Sequence, residues 1–251
     1  MFDLSGRTAI VVGGASGLGL AIAAGLAAHG ADVAVADLDA ARAQETAAAL
    51  TASTGRRATG VTVDVRDAAS VETAADTVAE WGGAIDIAFH LAGINDRRPV
   101  LDLEVEAFER VLDVNLVGLY ACCRAVGRHM VARGSGRIVN VASIFGHVAA
   151  RNQAAYAASK GGVVQLTRVL AHEWAAHGVQ VNALSPAHIR TPLAAPVIDD
   201  DVTGPWVRSR ILRGAAGETW EVIGPALFLA SDAASFVTGS SLIVDGGWLA
   251  G

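Results

Sequence analysis

The sequence predicts an α/β fold, a doubly wound parallel sheet of about seven strands with helices on both faces, and three observations carry that prediction. Short β-branched runs alternate with alanine-rich helical stretches from end to end. The runs are apolar at consecutive rather than alternate positions, as strands covered on both faces must be. Each is separated from the next by a helix-length segment, so neighbouring strands pair in parallel through right-handed crossovers.

The elements follow in order. Residues 8–12 are an unbroken apolar run and open the sheet, and 18–29 read as the first helix. Residues 32–36 form the second strand, which ends at Asp37, and an alanine-rich helix enters at Asp39 and covers 40–52. Strands at 58–63 and 86–90 flank a helix at 68–81. One long helix is predicted over 105–133, then a strand at 137–141, a helix at 155–177 and strands at 179–184 and 241–244. Residues 192–217, with Asp199-Asp200-Asp201 at their centre, fit no regular element and read as a substrate lid. A single domain over 1–251 is expected, because two cores within 251 residues would each be small.

Composition excludes several classes. At 52% hydrophobic and 18% charged, the chain has ample apolar surface to fold, so disorder is excluded. A net charge of −6 with no basic stripe argues against nucleic acid as a partner. Mean hydropathy is +0.41 and residues 8–31 contain no Asp, Glu, Lys or Arg. A flexible glycine turn inside that stretch would break a membrane helix at mid-depth, so no membrane span is expected. The first residues lack the basic start of a secretion signal, and a cytoplasmic protein is expected. Cys122 and Cys123 are adjacent in an apolar helical pattern, which suits a core and not a disulfide framework.

A dinucleotide site is suggested where the first strand turns into the first helix. Gly13, Gly17 and Gly19, with Ser16 and Leu18 among them, let main-chain amides approach a pyrophosphate at a helix amino end. The plain alternative is a tight turn with no ligand. Asp37, at the end of the second strand, could accept hydrogen bonds from an adenosine ribose and would repel a 2′-phosphate. Neither Leu38 nor Ser16 offers a cation, so the cofactor is read as NAD. Asp39 is a second candidate for the ribose, with helix entry as its other role.

Tyr156 and Lys160 stand four residues apart at a helix start, hence on one face. A phenol with a pKa of ~10 is a poor base at neutral pH, and a cation at ~4 Å could lower it by about 2 to 3 units. Tyr156 would then serve as acid and base. An ordinary tyrosine beside a solvated lysine is the alternative on these residues alone.

Taken with Val12-Gly13-Gly14-Ala15-Ser16-Gly17-Leu18-Gly19, Asp64-Val65, Ala92-Gly93, Asn115, Ser143, Asn182 through Pro186 to Thr191, and Asp245-Gly246-Gly247, the chain resembles the short-chain dehydrogenase/reductases from residue 7 to 247. The resemblance implies a Rossmann-type fold. It implies that Ser143 polarises the substrate oxygen, that Tyr156 passes the proton, and that Lys160 binds the nicotinamide ribose. Asn115 would hold a water linking Lys160 to solvent, Asp64 and Val65 would contact the adenine, and Ile189 and Thr191 the carboxamide. The backbone at His90 and Ala92, with Gly93 beside it, would line the ribose. Val12, His90-Leu91 and Ala187 depart from the family pattern, and Ala187 falls near the nicotinamide.

Within the family the chain is most similar to the gluconate 5-dehydrogenase and 2-deoxy-gluconate 3-dehydrogenase group, with polyol dehydrogenases nearby. The residues carrying this include the run from Ala92-Gly93-Ile94-Asn95 to Arg97-Arg98-Pro99 and the end Val244-Asp245-Gly246-Gly247-Trp248-Leu249. Arg97 and Arg98 follow the fourth strand, where a guanidinium could pair with a substrate carboxylate or simply be solvated. Arg151, Asn152, Gln153, His147 and His188 are further pocket candidates, and Trp206 either covers a ligand or anchors the lid. The expected substrate is a small hydroxy or keto compound: a sugar acid first, a polyol or ketone second. A non-catalytic dinucleotide sensor is the reading from another class. His172 and His177 are five apart rather than four, so no metal is assigned. Ser143 lacks a G-x-S-x-G elbow, which sets a hydrolase aside. The apolar faces of the helices holding Asn115 and Tyr156 resemble the family's subunit contact and imply a homotetramer.

Overall fold

The computed structural model describes residues 2–251. β1 (Thr8–Val12) leads through α1 (Gly17–Ala28) to β2 (Asp32–Asp37), and α2 (Ala40–Thr54) leads to β3 (Ala58–Thr62). α3 (Ala68–Gly82) returns the chain to β4 (Ile87–His90), and α4 (Val105–Leu112) runs through a π-helical segment (Asp113–Gly118) into α5 (Leu119–Arg133). β5 (Gly136–Val141), α6 (Ala154–Trp174) and β6 (Val179–Pro186) follow. The remainder comprises α7 (Ala195–Ile198), α8 (Thr203–Arg210), α9 (Ile223–Ala230) and β7 (Ser241–Val244).

All seven strands lie parallel in the order β3-β2-β1-β4-β5-β6-β7. Strand order reverses between β1 and β4, and a crevice opens there beyond the carboxyl ends. Alternate side chains of each strand feed two cores. Ile10, Val12, Ala88 and Ile138 join Val78, Cys123, Met130 and Val163 on the face covered by α3, α5 and α6. Val11, Val33, Phe89 and Val139 join Ile22, Leu26, Leu227 and Leu229 on the face covered by α1 and α9. Burial on both faces explains the consecutive apolar positions and the charge-free stretch at 8–31. Both cysteines are buried and unpaired with each other.

Helix entries are set by short polar side chains. Asp39 Oδ1 accepts from the Arg42 amide at 3.1 Å, and Asp67 Oδ1 from the Ala69 amide at 2.9 Å. Asp39 is thus the cap of α2.

Three elements differ from expectation. The single helix predicted over 105–133 is divided by the π segment, because a one-residue shift of the hydrogen-bond ladder leaves the apolar periodicity almost intact. The lid at 192–217 is not irregular throughout, since it holds α7 and α8. α9 was not anticipated at all: Gly224 and Pro225 stand in its first turn, and its apolar residues leave no polar face to reveal a helical period. Among the described residues no helix is long and apolar enough to cross a membrane.

Candidate active site

A cleft of about 580 Å³ runs along the carboxyl edge of the sheet. One half is made of main chain. Leaving β1, the chain turns through Gly13, with φ of +80°, into α1 at Gly17, with φ of +51°. A Cβ on Gly13 would lie 2.8 Å from the Ala92 amide nitrogen, and one on Gly19 would lie 2.0 Å from the Gly13 carbonyl oxygen. Only glycine fits there. The turn sets the amino end of α1, where amides lack intrahelical partners, against the cleft, and this is the geometry a dinucleotide pyrophosphate needs. Ser16 and Leu18 line the same wall.

Asp37 also lines it, at the end of β2. One carboxylate oxygen accepts from the Ala15 amide at 3.1 Å and the other from the Asp39 amide at 3.3 Å, so this side chain clamps the glycine turn as well as facing the cleft. Asp64, Val65, Ala92 and Gly93 complete this half. Arg66 lines it too, held by Asp64 at 2.7 Å. Sequence reasoning missed that cation, because it is far from Asp37 along the chain.

The His90 side chain takes no part in the cleft wall, so a ribose role at this position falls to its backbone, as expected. Its side chain points into the core from the end of β4, with Nδ1 3.0 Å from Asn140 Oδ1. Cys123 Sγ donates to the same oxygen at 3.2 Å, and Asn140 Nδ2 donates to Thr167 Oγ1 at 3.0 Å. Burial pushes the His90 pKa down to about 4, so the ring is neutral near pH 7. Leu91, one residue on, takes the place in the wall.

The other half is made of side chains. Ser143 follows β5, its Oγ accepts from the Phe145 amide at 3.2 Å, and it lines the cleft together with Tyr156. Ser143 therefore caps a turn and shares the cleft wall with the phenol. Tyr156 lies in the first turn of α6, edge-on to Phe145 with ring centres 6.5 Å apart. Lys160, one turn on, is buried, and its Nζ donates to the Val141 carbonyl at 2.7 Å, 5.6 Å from the Tyr156 ring centre.

The electrostatics correct the expectation that Lys160 lowers the phenol. Burial raises the Tyr156 pKa, and the groups that oppose this are the Ser143 hydrogen bond and the Arg97 charge. Burial also brings Lys160 itself down to about 8.

Asn115 is fully buried in the π segment and is not part of the cleft wall. Its Oδ1 accepts from the Ile94 amide at 2.8 Å, and its Nδ2 donates to the Ile94 carbonyl at 2.9 Å and to Ser159 Oγ at 3.1 Å. Both amide hydrogens are used. The side chain holds the loop after β4, so any water at Asn115 would rest on its main-chain carbonyl.

Of the residues predicted to meet substrate, the structure brings Arg97, Gln153 and His188 into the cleft with Ser143, Tyr156, Ile189 and Thr191. It places five others outside the cleft wall. Arg98 turns away to Asp96, with bonds of 2.7 and 2.6 Å. Arg151 and Asn152 are exposed outside the cleft wall, on a turn in which Asn152 has φ of +59°. Trp206 packs edge-on against Trp248, with ring centres 5.4 Å apart, and anchors the lid. His147 is bonded instead to Ser241 Oγ at 3.0 Å. The acidic run faces away from the cleft: Asp199 pairs with Arg190 at 2.7 Å, and Asp200 Oδ1 accepts from the Thr203 amide at 2.7 Å. Asn95 and Phe145 line the cleft and were not anticipated; nothing in their local sequence separates them from their neighbours. Trp248, one of the residues that carry the resemblance, stacks on His188 with ring centres 4.9 Å apart.

Comparison with known proteins agrees with this geometry. The family described as enoyl-(acyl carrier protein) reductase matches residues 13–249. D-threitol dehydrogenase of Mycolicibacterium smegmatis is 42% identical over 98% of this chain and 94% of its own length. The 2-dehydro-3-deoxy-D-gluconate 5-dehydrogenase of Bacillus subtilis is 39% identical over 99% of this chain and 96% of its own. A gluconate 5-dehydrogenase from Burkholderia cenocepacia, solved with NADP and tartrate, superposes with a TM-score of 0.96 at 38% identity, covering 100% of this chain and 98% of that one. A glycine turn only glycine can make, a serine facing a tyrosine with a lysine one turn on, and relatives matched over nearly their full lengths lead to one conclusion: the chain is an oxidoreductase of the short-chain dehydrogenase/reductase family.

Proposed function

We propose that the protein is an NAD-linked dehydrogenase that interconverts a secondary alcohol and a ketone, with a sugar acid such as gluconate or a deoxygluconate as substrate. The observation that carries this reading is that Ser143, Tyr156 and Lys160 line one cleft, with the Lys160 ammonium buried against the Val141 carbonyl one helical turn beyond the phenol. The glycine turn and Asp37 fit a dinucleotide, with Asp37 towards the ribose hydroxyls and the α1 amino end towards the pyrophosphate. When bound, the nicotinamide supplies a hydride acceptor in one direction and a hydride donor in the other.

The chain does the rest. In oxidation, Tyr156 takes the substrate hydroxyl proton as a phenolate, which burial disfavours and which the charges of Arg97 and of a bound nicotinamide ring would favour, while Ser143 donates a hydrogen bond to the substrate oxygen. Lys160, released from Val141, binds the ribose hydroxyls and returns the proton towards solvent past Asn115. Arg97 pairs with the substrate carboxylate.

The polyol reading stands second, because Arg98 is committed to Asp96 and one arginine, not two, is left for a carboxylate. Turnover of gluconate, deoxygluconate and hexitols with NAD and with NADP tests the proposal. Sugar-acid oxidation with NAD is expected. Turnover of polyols alone removes the carboxylate role, and a preference for NADP removes the role of Asp37. The protein is further proposed to act in the cytoplasm as a homotetramer, with Val117 and Tyr120, both half exposed, among the residues covered by neighbours. A solution mass equal to the monomer would refute the assembly.

A further inference from the structure

We propose that Trp248 is a positioning residue for the reaction: from outside the cleft it holds the His188 ring, the Phe145 ring that packs on Tyr156, and lid helix α8 in one arrangement. The C-terminal turn then sets the geometry of the catalytic end. The proposal rests on the dehydrogenase reading above.

Among the described residues, none of 192–217 belongs to either core of the sheet. The lid rests instead on a third, smaller cluster. In it, buried Ile144 and Phe145 from the turn after β5 meet Val207 and Ile211 from the lid and Trp248 from the tail, with Tyr156 and Ala187 packed against them.

Trp248, only 4% exposed, joins these parts. Its ring stacks on His188 with centres 4.9 Å and planes 29° apart, and meets Phe145 edge-on at 6.5 Å. On its lid side Trp206 lies edge-on at 5.4 Å and the Arg210 guanidinium carbon at 5.9 Å. Phe145 in turn packs edge-on against Tyr156 at 6.5 Å and against His188 at 5.9 Å. His188, Phe145 and Tyr156 line the cleft, and Trp248 does not. It can act on the chemistry only through the rings it backs.

The tail is built to keep that ring in place. Asp245 Oδ1 accepts from the Gly247 amide and Oδ2 from the Leu249 amide, both at 2.8 Å, which closes a turn around Trp248. Gly247 has φ of +93°, and a Cβ there would lie 2.8 Å from Leu212 Cδ1, so glycine lets the turn press against the lid. The Arg213 amide donates to the Gly246 carbonyl at 3.2 Å, and Arg210 Nη2 to the Gly251 carbonyl at 3.3 Å. Residues 206–213 of the lid are thus fastened to the tail.

Close-packed rings shift when a neighbour is removed, because the gap closes only in part. Loss of the Trp248 ring leaves His188 without its stacking partner and Phe145 without one of its edge contacts. Displacing a catalytic group by about 1 Å can slow the chemistry by about 100-fold. The main-chain half of the cleft shares no residue with this cluster, so cofactor binding is expected to survive.

Trp248→Ala, Trp248→Phe and Trp206→Ala are compared with the wild-type enzyme in gluconate oxidation with NAD and with NADP, a hexitol replacing gluconate if gluconate is not used. In Trp248→Ala, kcat is expected to fall by about 30-fold. Its Kd for NADH should stay within about threefold. Trp248→Phe, which keeps a ring on His188 and Phe145, should bring kcat back to within about threefold of wild type. Trypsin should cut Trp248→Ala first after Arg208, Arg210 or Arg213, the exposed arginines of the fastened segment. Unchanged kcat in Trp248→Ala overturns the proposal and leaves the dehydrogenase reading standing. A Phe variant no better than the Ala variant also overturns it, as does NADH binding lost in step with kcat, which marks a general loss of fold. If Trp248→Ala does not fold, Trp206→Ala, at a half-exposed position, carries the test. A fall in kcat of about fivefold with the same trypsin pattern is then expected, and no change in either overturns the proposal. If the wild-type enzyme oxidises neither substrate with either cofactor, the dehydrogenase reading fails and the positioning role fails with it.

Discussion

The two halves of the cleft are built from different materials. The half at residues 13–19, 37, 64–65 and 91–93 is main chain at strand ends, locked by the parallel ladders of β1, β2 and β4 and by glycines that no other residue can replace. The half around Ser143 and Tyr156 is side chain, gathered from the loop after β4, the turn after β5, the start of α6, the segment after β6 and the C-terminal Trp248. Main-chain geometry is settled by the fold, so the first half can accept one kind of ligand and little else. Side chains on separate loops can be exchanged one at a time, so the second half can change its substrate without disturbing the first. Substitutions in the two halves should therefore fail in different ways, and that difference can be measured.

The largest effect is expected at Tyr156. Tyr156→Phe removes the proton carrier and keeps the ring against Phe145, so kcat should fall by about 10³- to 10⁴-fold. Binding of the reduced cofactor, followed by its fluorescence, should survive. Unchanged turnover would refute the catalytic assignment, and lost cofactor binding would show that the two halves are not separable.

Next in size is a pH effect at the seam between the halves, where His90 ends β4. Its pKa falls from 6.5 in an exposed ring to about 4 in the fold. Between those values the unfolded chain binds more protons than the folded one, so stability falls as pH drops from about 6.5 to about 4. A shift of this size is worth about 3 kcal/mol. Urea unfolding at pH 7 and pH 4.5 should show that loss in the wild-type protein and a smaller loss in His90→Asn. Equal pH slopes in both proteins would show that His90 does not carry the titration.

Legibility followed the same division. The glycine turn, Asp37 and the Tyr156–Lys160 pair were readable because each depends on residues close together in the chain: a β-to-α turn, a strand end and one turn of a helix. Arg98 was misread beside Arg97 because their opposite directions are decided by Asp96, which captures the first, and by the Leu193 carbonyl, which receives the second at 3.1 Å. At His90 the sequence suggests a backbone role at the cleft but not where the side chain goes, because the partners that strand alternation turns it to, Asn140 and Cys123, are distant in the chain. Phe145 and Trp248 meet His188 only through tertiary packing, so no local pattern announces them. The π segment at Asn115 is invisible to periodicity for the reason that hides any one-residue shift in a long helix.

A smaller effect is expected in the main-chain half at Asp37. Asp37→Asn keeps an oxygen able to accept from the Ala15 amide, so the glycine turn stays closed, while the charge facing the ribose is lost. The ratio of kcat/KM with NAD to that with NADP should drop by about 30-fold, the worth of one hydrogen bond to a charged group plus relief of repulsion on a 2′-phosphate. A ratio that does not move would make Asp37 a turn clamp alone.

The smallest effects separate the two adjacent arginines and decide whether the side-chain half is as selective as its geometry implies. Arg97 is half-buried, with Nη2 on the Leu193 carbonyl and Nε facing no protein group. A carboxylate that reached it would gain a charge-assisted hydrogen bond in a partly desolvated place, so Arg97→Met should raise KM for a sugar acid by about tenfold. The same change at Arg98 removes a part-buried pair with Asp96 outside the cleft wall, which contributes nothing to a ligand it does not touch. Arg98→Met should therefore leave KM within about twofold. The contrast should narrow for a hexitol, which carries no charge for Arg97 to pair with. Equal effects at the two positions would mean that the loop after β4 rearranges around substrate, and that the side-chain half is less settled than its contacts imply.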